Sequence, residues 1–343
     1  MKRYPFIIIA IIAALLVSCN IDATDGIYSE AASSTESTAV TIRSYLGQDN
    51  TGRYYYLTDD GLYVIGVEEA LFSNADGKII RAAALLDDGS ILILWQNSDP
   101  ADGAVITYHQ YSAGVYADAV TVDGKYNNLL TNGLFYNSDG IYRYPGTGTA
   151  ATSLLGNMAI KDIKALVNGN HAFFEIEDPS GAYTIYVFTA DGTKKVDGIG
   201  NANLTNPTYC SGFQATDDSG SSYLVLYRVP SNSKLNVYTM DTVVPEDPVL
   251  TLDYTNNESP SFLFDGCVYV KDANSFKKIN IAEKTSEQIT TGFASNLRTA
   301  EITNILPAKD ETGAVIDGVF IAGTKASMLY RIDMNENESE QIK

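Results

Sequence analysis

Few residues in this chain have the types and spacing that catalysis requires. The two histidines, His109 and His171, lie outside any serine or cysteine nucleophile motif, so the sequence does not indicate a His-activated nucleophile. Three pairs of adjacent aspartates could supply the acid and base of glycoside hydrolysis: Asp59-Asp60, Asp87-Asp88 and Asp217-Asp218. Each pair lies in a Gly-containing segment typical of a hairpin turn, where aspartate is favoured for its hydrogen bonds to the backbone. We therefore predict structural roles for these residues.

The sequence indicates no metal or nucleotide site. No Cys and His occur together at zinc-binding spacing. The oxygen-rich segment 99–103 lacks the length and the bidentate glutamate of an EF-hand loop. Segment 146–148 has two glycines of a dinucleotide-binding loop but is not followed by the third. We expect neither a metal nor a nucleotide cofactor.

The charge of the chain excludes one class of partner. Its formal net charge is −19, from 42 acidic and 23 basic residues among 343. Such a surface repels the phosphate backbone, so we expect no nucleic acid binding. The charge favours solubility outside the cytoplasm.

The first 19 residues have the three regions of a secretory signal. Lys2 and Arg3 give a positive start, an uncharged apolar run covers 6–17, and Leu16-Val17-Ser18-Cys19 ends it. The run is too short for a full membrane span. The last four residues resemble the lipobox of bacterial lipoproteins. That resemblance implies cleavage before Cys19, a diacylglycerol on its thiol and an N-acyl lipid on its new amino group.

The resemblance also sets the expected location and domain order. We expect a lipid anchor in a membrane of the cell envelope, on its periplasmic or surface side, with inner and outer membrane both open. Residues 1–18 are the predicted signal peptide, 19–38 the lipidated cysteine and a polar tether, and 39–343 a folded domain. Outside the signal, Cys210 and Cys267 could form a disulfide in an exported protein, but their apolar surroundings favour two buried thiols.

The folded domain has β character throughout. Its 23 Tyr, 12 Phe and 27 Gly accompany many Val and Ile, and we find no long run with helical spacing of apolar residues. Segments 70–72 and 160–167 are the only ones that could form short helical turns. Apolar runs repeatedly flank an Asp-, Asn- or Gly-based turn, near positions 60, 88, 139, 169, 219, 265 and 317.

These turns recur at a mean spacing of about 43 residues, close to the four-stranded blades of WD40-type repeats. Further strands are predicted from the runs between the turns. Third strands are expected at 105–111, 183–188, 235–240, 276–281 and 328–332, and outer edge strands at 120–122, 249–252 and 286–289. The runs lack polar alternation, which indicates strands covered on both faces.

The pattern resembles β-propellers, although the Trp-Asp pair of WD40 repeats is missing and Trp95 is the only tryptophan. We predict an all-β, antiparallel propeller of about seven blades. Its ring would close when an early strand near 39–43 completes the last blade. A multi-sheet β-sandwich or two β-domains is the alternative.

These observations favour a binding or scaffold protein over an enzyme. Tyr is enriched at binding interfaces, so Arg53, Tyr54, Tyr56 and Trp95 are the candidate binding surface, with a protein or a glycan as partner. The alternative is a glycan-active envelope hydrolase whose acids converge at the channel of the propeller.

Overall fold

The chain folds into a ring of antiparallel sheets. The computed structural model describes residues 42–75, 77–97, 104–145, 150–168, 171–200, 210–217, 220–229, 233–240, 247–254, 260–326 and 328–342. Cys19, the predicted signal and tether, and segment 99–103 lie outside these residues. Within them the regular secondary structure is strands apart from one short 3-10 helix at Gly292–Ala294. In this part of the chain no helix is long and apolar enough to cross a membrane.

Six sheets have four strands each and follow one another along the chain. Blade 1 contains β1 (Ile42–Gln48), β2 (Tyr54–Thr58), β3 (Gly61–Val64) and β4 (Phe72–Ser73). Blade 2 contains β5 (Ile79–Leu85), β6 (Ile91–Gln96), β7 (Ala104–His109) and β10 (Val120–Tyr126), with the small hairpin of β8 (Tyr111–Ser112) and β9 (Val115–Tyr116) between its last two strands.

The other four blades have the same order. Blade 3 contains β14 (Asp162–Asn168), β15 (His171–Glu177), β16 (Tyr183–Thr189) and β17 (Lys194–Gly200). Blade 4 contains β18 (Cys210–Asp217), β19 (Gly220–Val229), β20 (Lys234–Met240) and β21 (Leu250–Asp253). Blade 5 contains β22 (Ser261–Phe264), β23 (Cys267–Asp272), β24 (Ser275–Asn280) and β25 (Thr285–Ile289). Blade 6 contains β26 (Ile302–Lys309), β27 (Val315–Thr324), β28 (Leu329–Asp333) and β29 (Glu338–Gln341).

The predicted count of about seven blades is wrong, because the complete blades number six. A three-stranded sheet lies in sequence between blades 2 and 3, and it is formed by β11 (Asn128–Leu129), β12 (Phe135–Asn137) and β13 (Gly140–Tyr142). It packs against blade 2 through Phe135 and against blade 3 through Ile141. Its strands are two or three residues long, and it lacks the fourth, outer strand of a blade. The all-β propeller itself is confirmed.

The ring closes by side-chain hydrogen bonds and not by an exchanged strand. Ile42 and Arg43 belong to β1 of blade 1, while blade 6 takes all four strands from the C-terminal part of the chain. The prediction that segment 39–43 completes the last blade is therefore wrong. Instead, Asn304 of blade 6 donates to the Tyr45 carbonyl (2.7 Å) and accepts from its N–H (3.3 Å). The Lys309 N–H also donates to the Gln48 side chain, at 2.8 Å.

The core lies between neighbouring sheets, which explains the missing polar alternation. Along β6, Ile91 and Ile93 pack toward blade 1, while Leu92 and Leu94 pack toward the three-stranded sheet. All four side chains are fully buried. Burying both faces of a strand removes the need for a polar face, so the interpretation of these runs as doubly covered strands is confirmed.

The strands between the turns are largely as predicted. Every predicted third strand and outer edge strand is present, with ends that shift by a few residues. The two segments considered for helical turns form no helix: 70–72 leads into β4, and 160–167 lies largely within β14. The turns near 60 and 139 join second to third strands, whereas those near 88 and 265 join first to second. This difference accounts for part of the uneven spacing.

The two ends of the ring carry different turns. In a four-stranded antiparallel blade, the first–second and third–fourth turns lie at one end and the second–third turn at the other. We call these ends the first-turn face and the second-turn face. The first strands of adjacent blades contact one another, for example β1 and β26 or β14 and β18. First strands therefore surround the axis of the ring.

Candidate binding site

A cavity of about 350 Å³ opens on the first-turn face, where β1, β5 and β26 end. Because these are first strands, the cavity lies near the axis, and we call it the axial cavity. Its polar and aromatic lining comes from several sheets: Gln48, Asp87, Asp88, Tyr108, Asn132, Arg143, Tyr144, Asp191 and Lys309. Leu46, Leu86 and Leu306 add apolar surface. A concave site with a few polar groups on an apolar wall is the usual form of a ligand pocket.

Two half-buried tyrosines form the aromatic wall of the axial cavity. The rings of Tyr108, from blade 2, and Tyr144, which follows β13, are stacked with centroids 4.1 Å apart and planes 14° apart. The Tyr108 hydroxyl is held 2.8 Å from the Ser90 hydroxyl. The pair thus presents flat, hydroxyl-bearing surface in a fixed orientation.

Charged groups of both signs line the same cavity. Lys309 of blade 6 forms an ion pair with Asp87 of blade 2 (3.2 Å), so this pair joins two blades across blade 1. Asp191 accepts hydrogen bonds from Thr189 and Thr193, which lower its pKa to about 2. A carboxyl group with so low a pKa is poorly suited to donate a proton as a general acid.

A buried carboxylate anchors the loop beside this cavity. Asp49 accepts hydrogen bonds from Thr51, from Arg53 and from the Tyr55 hydroxyl, at 2.7–3.0 Å. Burial raises the pKa of Asp49, but the hydrogen bonds from Thr51 and Arg53 outweigh it and hold the pKa below its usual range. Asn50 extends the loop toward the cavity by donating to the Asp87 carbonyl at 3.2 Å.

The β8–β9 hairpin packs on the same loop. The Arg53 guanidinium forms an ion pair with Asp49 (2.7 Å) and lies 4.9 Å from the ring centroid of Tyr111. Tyr116 donates to the Tyr55 hydroxyl at 3.3 Å. The hairpin therefore covers the Asp49–Arg53 pair, and about a third of the Arg53 side chain (37%) stays exposed.

The four predicted binding residues divide between the two sides of blade 1, toward blade 2 and toward blade 6. Arg53 contacts the hairpin of blade 2, and Trp95 of blade 2 packs between blades 1 and 2 and donates to Thr107 (3.0 Å). Tyr54 and Tyr56 pack toward blade 6 instead, with Tyr56 buried against Tyr63 at a centroid distance of 5.6 Å. The four residues are thus not brought together, and only Arg53 lies in the loop next to the axial cavity.

The histidines and aspartates considered for catalysis lie in packed strands or in hairpin turns. The His109 ring packs on Phe72 (4.4 Å), and burial lowers the pKa of His109. Burial also lowers the pKa of His171. Asp59-Asp60 and Asp87-Asp88 lie in hairpin turns, as predicted, whereas Asp218 lies outside the residues that the structure describes. Among the described residues, no group of three or more His, Cys, Asp or Glu could hold a metal.

The remaining cysteine prediction is confirmed for one residue. Cys267 is a buried free thiol, so it is not bridged to Cys210. Burial raises the pKa of this thiol, which makes it a poor nucleophile at neutral pH.

Sequence reasoning missed a turn that recurs with the pattern Asp-x-Ser/Thr-Gly. Asp49, Asp178 and Asp310 each accept from the backbone N–H and the hydroxyl two residues later, and from the N–H four residues later. The repetition of the pattern was the available signal. For the axial cavity, the signal was the position of Gln48, Asp87 and Lys309 at or just after the ends of first strands.

Comparisons with known proteins support the propeller class. Sqt1 of Saccharomyces cerevisiae is similar in structure, with a TM-score of 0.50 and 10% sequence identity over 88% of this chain and 85% of that one. Dihydro-heme d1 dehydrogenase NirN, solved in complex with DHE, has a TM-score of 0.51 and 12% identity over 88% of this chain and 66% of that one. No protein-family model and no curated protein matches the sequence.

At these identities the likeness concerns the fold alone. The chain belongs to the class of all-β proteins built as a six-bladed antiparallel propeller. Propellers host enzymes and binding proteins alike, so the function has to be argued from the site.

Proposed function

We propose that this protein is a lipid-anchored envelope protein whose propeller binds a glycan in the axial cavity. The observation that carries the proposal is the stacked pair of Tyr108 and Tyr144 beside charged groups from several sheets. A flat aromatic wall suits the apolar face of a sugar ring, and the surrounding carboxylates, amide and guanidinium suit its hydroxyls. A protein partner is the other outcome of the binding test.

The test is binding of the folded domain, from residue 39 onward, to an array of defined oligosaccharides. For any oligosaccharide bound, Tyr144→Ala should weaken binding about tenfold, a loss of about 1.4 kcal/mol. Tyr183→Ala is the matched control, because Tyr183 is also half-buried but does not line the cavity. Equal weakening by both variants, or no oligosaccharide bound at all, would reject glycan binding in this cavity.

The anchor rests on the resemblance of Leu16-Val17-Ser18-Cys19 to a lipobox. If Cys19 carries the diacylglycerol, Cys19→Ala should abolish labelling by a radioactive lipid precursor and release the protein from the membrane fraction. Cys267→Ala is the control and should leave the label in place, since Cys267 is buried inside a blade. A Cys19→Ala variant that stays labelled and membrane-bound would overturn the proposal.

A glycan-active hydrolase is the second candidate, because Asp87, Asp88 and Asp191 line one cavity. The low pKa of Asp191 argues against it as the acid, and Asp87 is already paired with Lys309. If the cavity hydrolyses glycans, the wild-type domain should release reducing ends from the bound oligosaccharide, and Asp88→Asn should stop the release. Binding without release favours the binding protein.

A further inference from the structure

A second cavity, of about 430 Å³, lies on the second-turn face between blades 5 and 6. The turn between β23 and β24 forms one side of it, and the segment before β26 together with the end of β27 forms the other. It opens on the opposite face from the axial cavity and shares none of its lining residues, although β26 contributes to both. We call it the lysine cavity.

The base of the lysine cavity holds a buried ammonium group. Lys271 is only 3% exposed, which is rare for a lysine outside an ion pair. Its Nζ donates to the Ala273 carbonyl and to the Arg298 carbonyl, the second at 2.9 Å. Both acceptors are uncharged, so they leave the positive charge in place. The Phe276 ring lies 5.7 Å from Nζ, and among the described residues the third donor of the ammonium has no hydrogen-bond acceptor.

The neighbouring charges keep this position cationic. Asp272 precedes the turn, but its carboxylate forms an ion pair with Lys277 at 3.4 Å. The rim adds Arg298 and Lys325, both exposed, against the single carboxylate of Glu301, which lies 3.7 Å from Lys325. Among the described residues, the lining thus carries three cations and one anion, in a chain whose net charge is −19.

Burial of Lys271 has a cost that an anionic ligand would offset. Burial lowers its pKa, and nearby Asp272 only partly restores it. Desolvating a cation is unfavourable unless an opposite charge compensates it. A ligand oxyanion in the cavity would accept from Nζ and from the Arg298 guanidinium, which is suited to bind two oxygens of one oxyanion.

We propose that the lysine cavity binds a small oxyanion, the phosphate or carboxylate group of a small molecule, between Lys271 and Arg298. This site is independent of the glycan proposed for the axial cavity, and either site can exist without the other. The Asn274 amide and the Thr299 hydroxyl, which also line the cavity, provide further donors for the ligand.

The experiment is calorimetric titration of the folded domain with inorganic phosphate and, separately, with succinate, at constant ionic strength with chloride as the reference. We expect saturable binding of at least one of the two, and the one that binds identifies the oxyanion. Lys271→Met keeps the apolar stem but removes the charge, and should weaken binding at least tenfold. Lys278→Met, on the same strand pair but outside the cavity, should change it less than twofold.

A rim variant keeps the test decisive if Lys271→Met does not fold. Arg298→Gln changes an exposed side chain, so the fold should be retained while binding weakens several-fold. Binding of neither phosphate nor succinate above the chloride reference would overturn the proposal. So would binding that is unchanged in both Lys271→Met and Arg298→Gln.

Discussion

Asp49 shows how one buried carboxylate fixes a loop at the edge of the axial cavity. The same turn pattern occurs at Asp310, but there the aspartate side chain bonds, among the described residues, only within its own turn. At Asp49 the additional partners are the Arg53 side chain and the Tyr55 hydroxyl. These contacts convert an ordinary turn into a rigid link between blade 1 and the β8–β9 hairpin.

Replacing Asp49 by Asn should destabilise the domain by about 2–4 kcal/mol, since it breaks a hydrogen-bonded pair and leaves Arg53 uncompensated. The effect depends on pH, because the pKa of Asp49 is lower in the folded state than in the unfolded state. Its stabilisation is present above the unfolded pKa and is lost as pH falls through the folded pKa. Urea unfolding should therefore show the two proteins converging as pH drops below about 4.

Asp310→Asn is the control, because it alters the same turn pattern without an arginine partner. It should cost less than Asp49→Asn at pH 7. Equal losses in the two variants would mean that the Arg53 and Tyr55 contacts add nothing to the turn.

Local sequence patterns predicted only part of the axial cavity. Aspartates in turns were identified from their glycine neighbours, and Asp87 lies where a turn was predicted. The pairing of Asp87 with Lys309 joins residues 222 positions apart, which no local pattern reveals. Tyr54 and Tyr56 face blade 6 while Tyr55 between them faces blade 2, because neighbouring residues of a strand point to opposite sides.

The elements were more predictable than the site. Alternating apolar runs and turns gave the third and fourth strands because each is a local hairpin. The turn predicted near 317 is wrong, because Asp317-Gly318 lies inside β27. Gly318 has φ +72°, and Phe264 and Asn335 leave no room for a Cβ there. The true turn is the Asp310 turn, with Gly313 at φ +81°. Composition alone does not distinguish a glycine in a strand from one in a turn.

Two of the recurring turns allow a matched test of the contact between the Asp310 turn of blade 6 and Asn50 of blade 1. Gly181 and Gly313 have φ of +87° and +81°, so Ala should strain both by about 1 kcal/mol. Only at Gly313 would the new Cβ meet a neighbour, Asn50 Oδ1 at 2.4 Å. Moving Asn50 would break its bond to the Asp87 carbonyl, so Gly313→Ala should cost about 1 kcal/mol more than Gly181→Ala.

Thermal unfolding of the two variants, measured side by side, checks this expectation. Equal losses, or a larger loss in Gly181→Ala, would show that the bond of Asn50 to Asp87 of blade 2 adds nothing to stability. The test compares the two losses of stability with each other and does not need the absolute free energy of unfolding, since both substitutions cause the same backbone strain.

At the scale of the whole molecule, the ring separates two kinds of cavity. First strands end at the axial cavity, which has aromatic and mixed-charge walls. The opposite face carries the cationic lysine cavity, formed from a second–third turn and the segment between two blades. The overall negative charge therefore conceals a local positive site. The composition of the chain predicted its overall negative charge. It could not predict the positive cavity, because a net charge does not show where a buried lysine lies.

The ring depends on its closure between blades 1 and 6, where no shared strand joins the ends. Asn304 makes two hydrogen bonds to the Tyr45 backbone across this boundary. Asn304→Ala should cost about 1–3 kcal/mol and should speed hydrogen exchange of the β1 amides more than those of blade 4. Asn236→Ala is the control, because Asn236 bonds to Thr251 within blade 4. If β1 exchanges at the wild-type rate in Asn304→Ala, closure rests on the remaining contacts, which include the Lys309–Gln48 hydrogen bond and the apolar packing of Ile42 against Ile321.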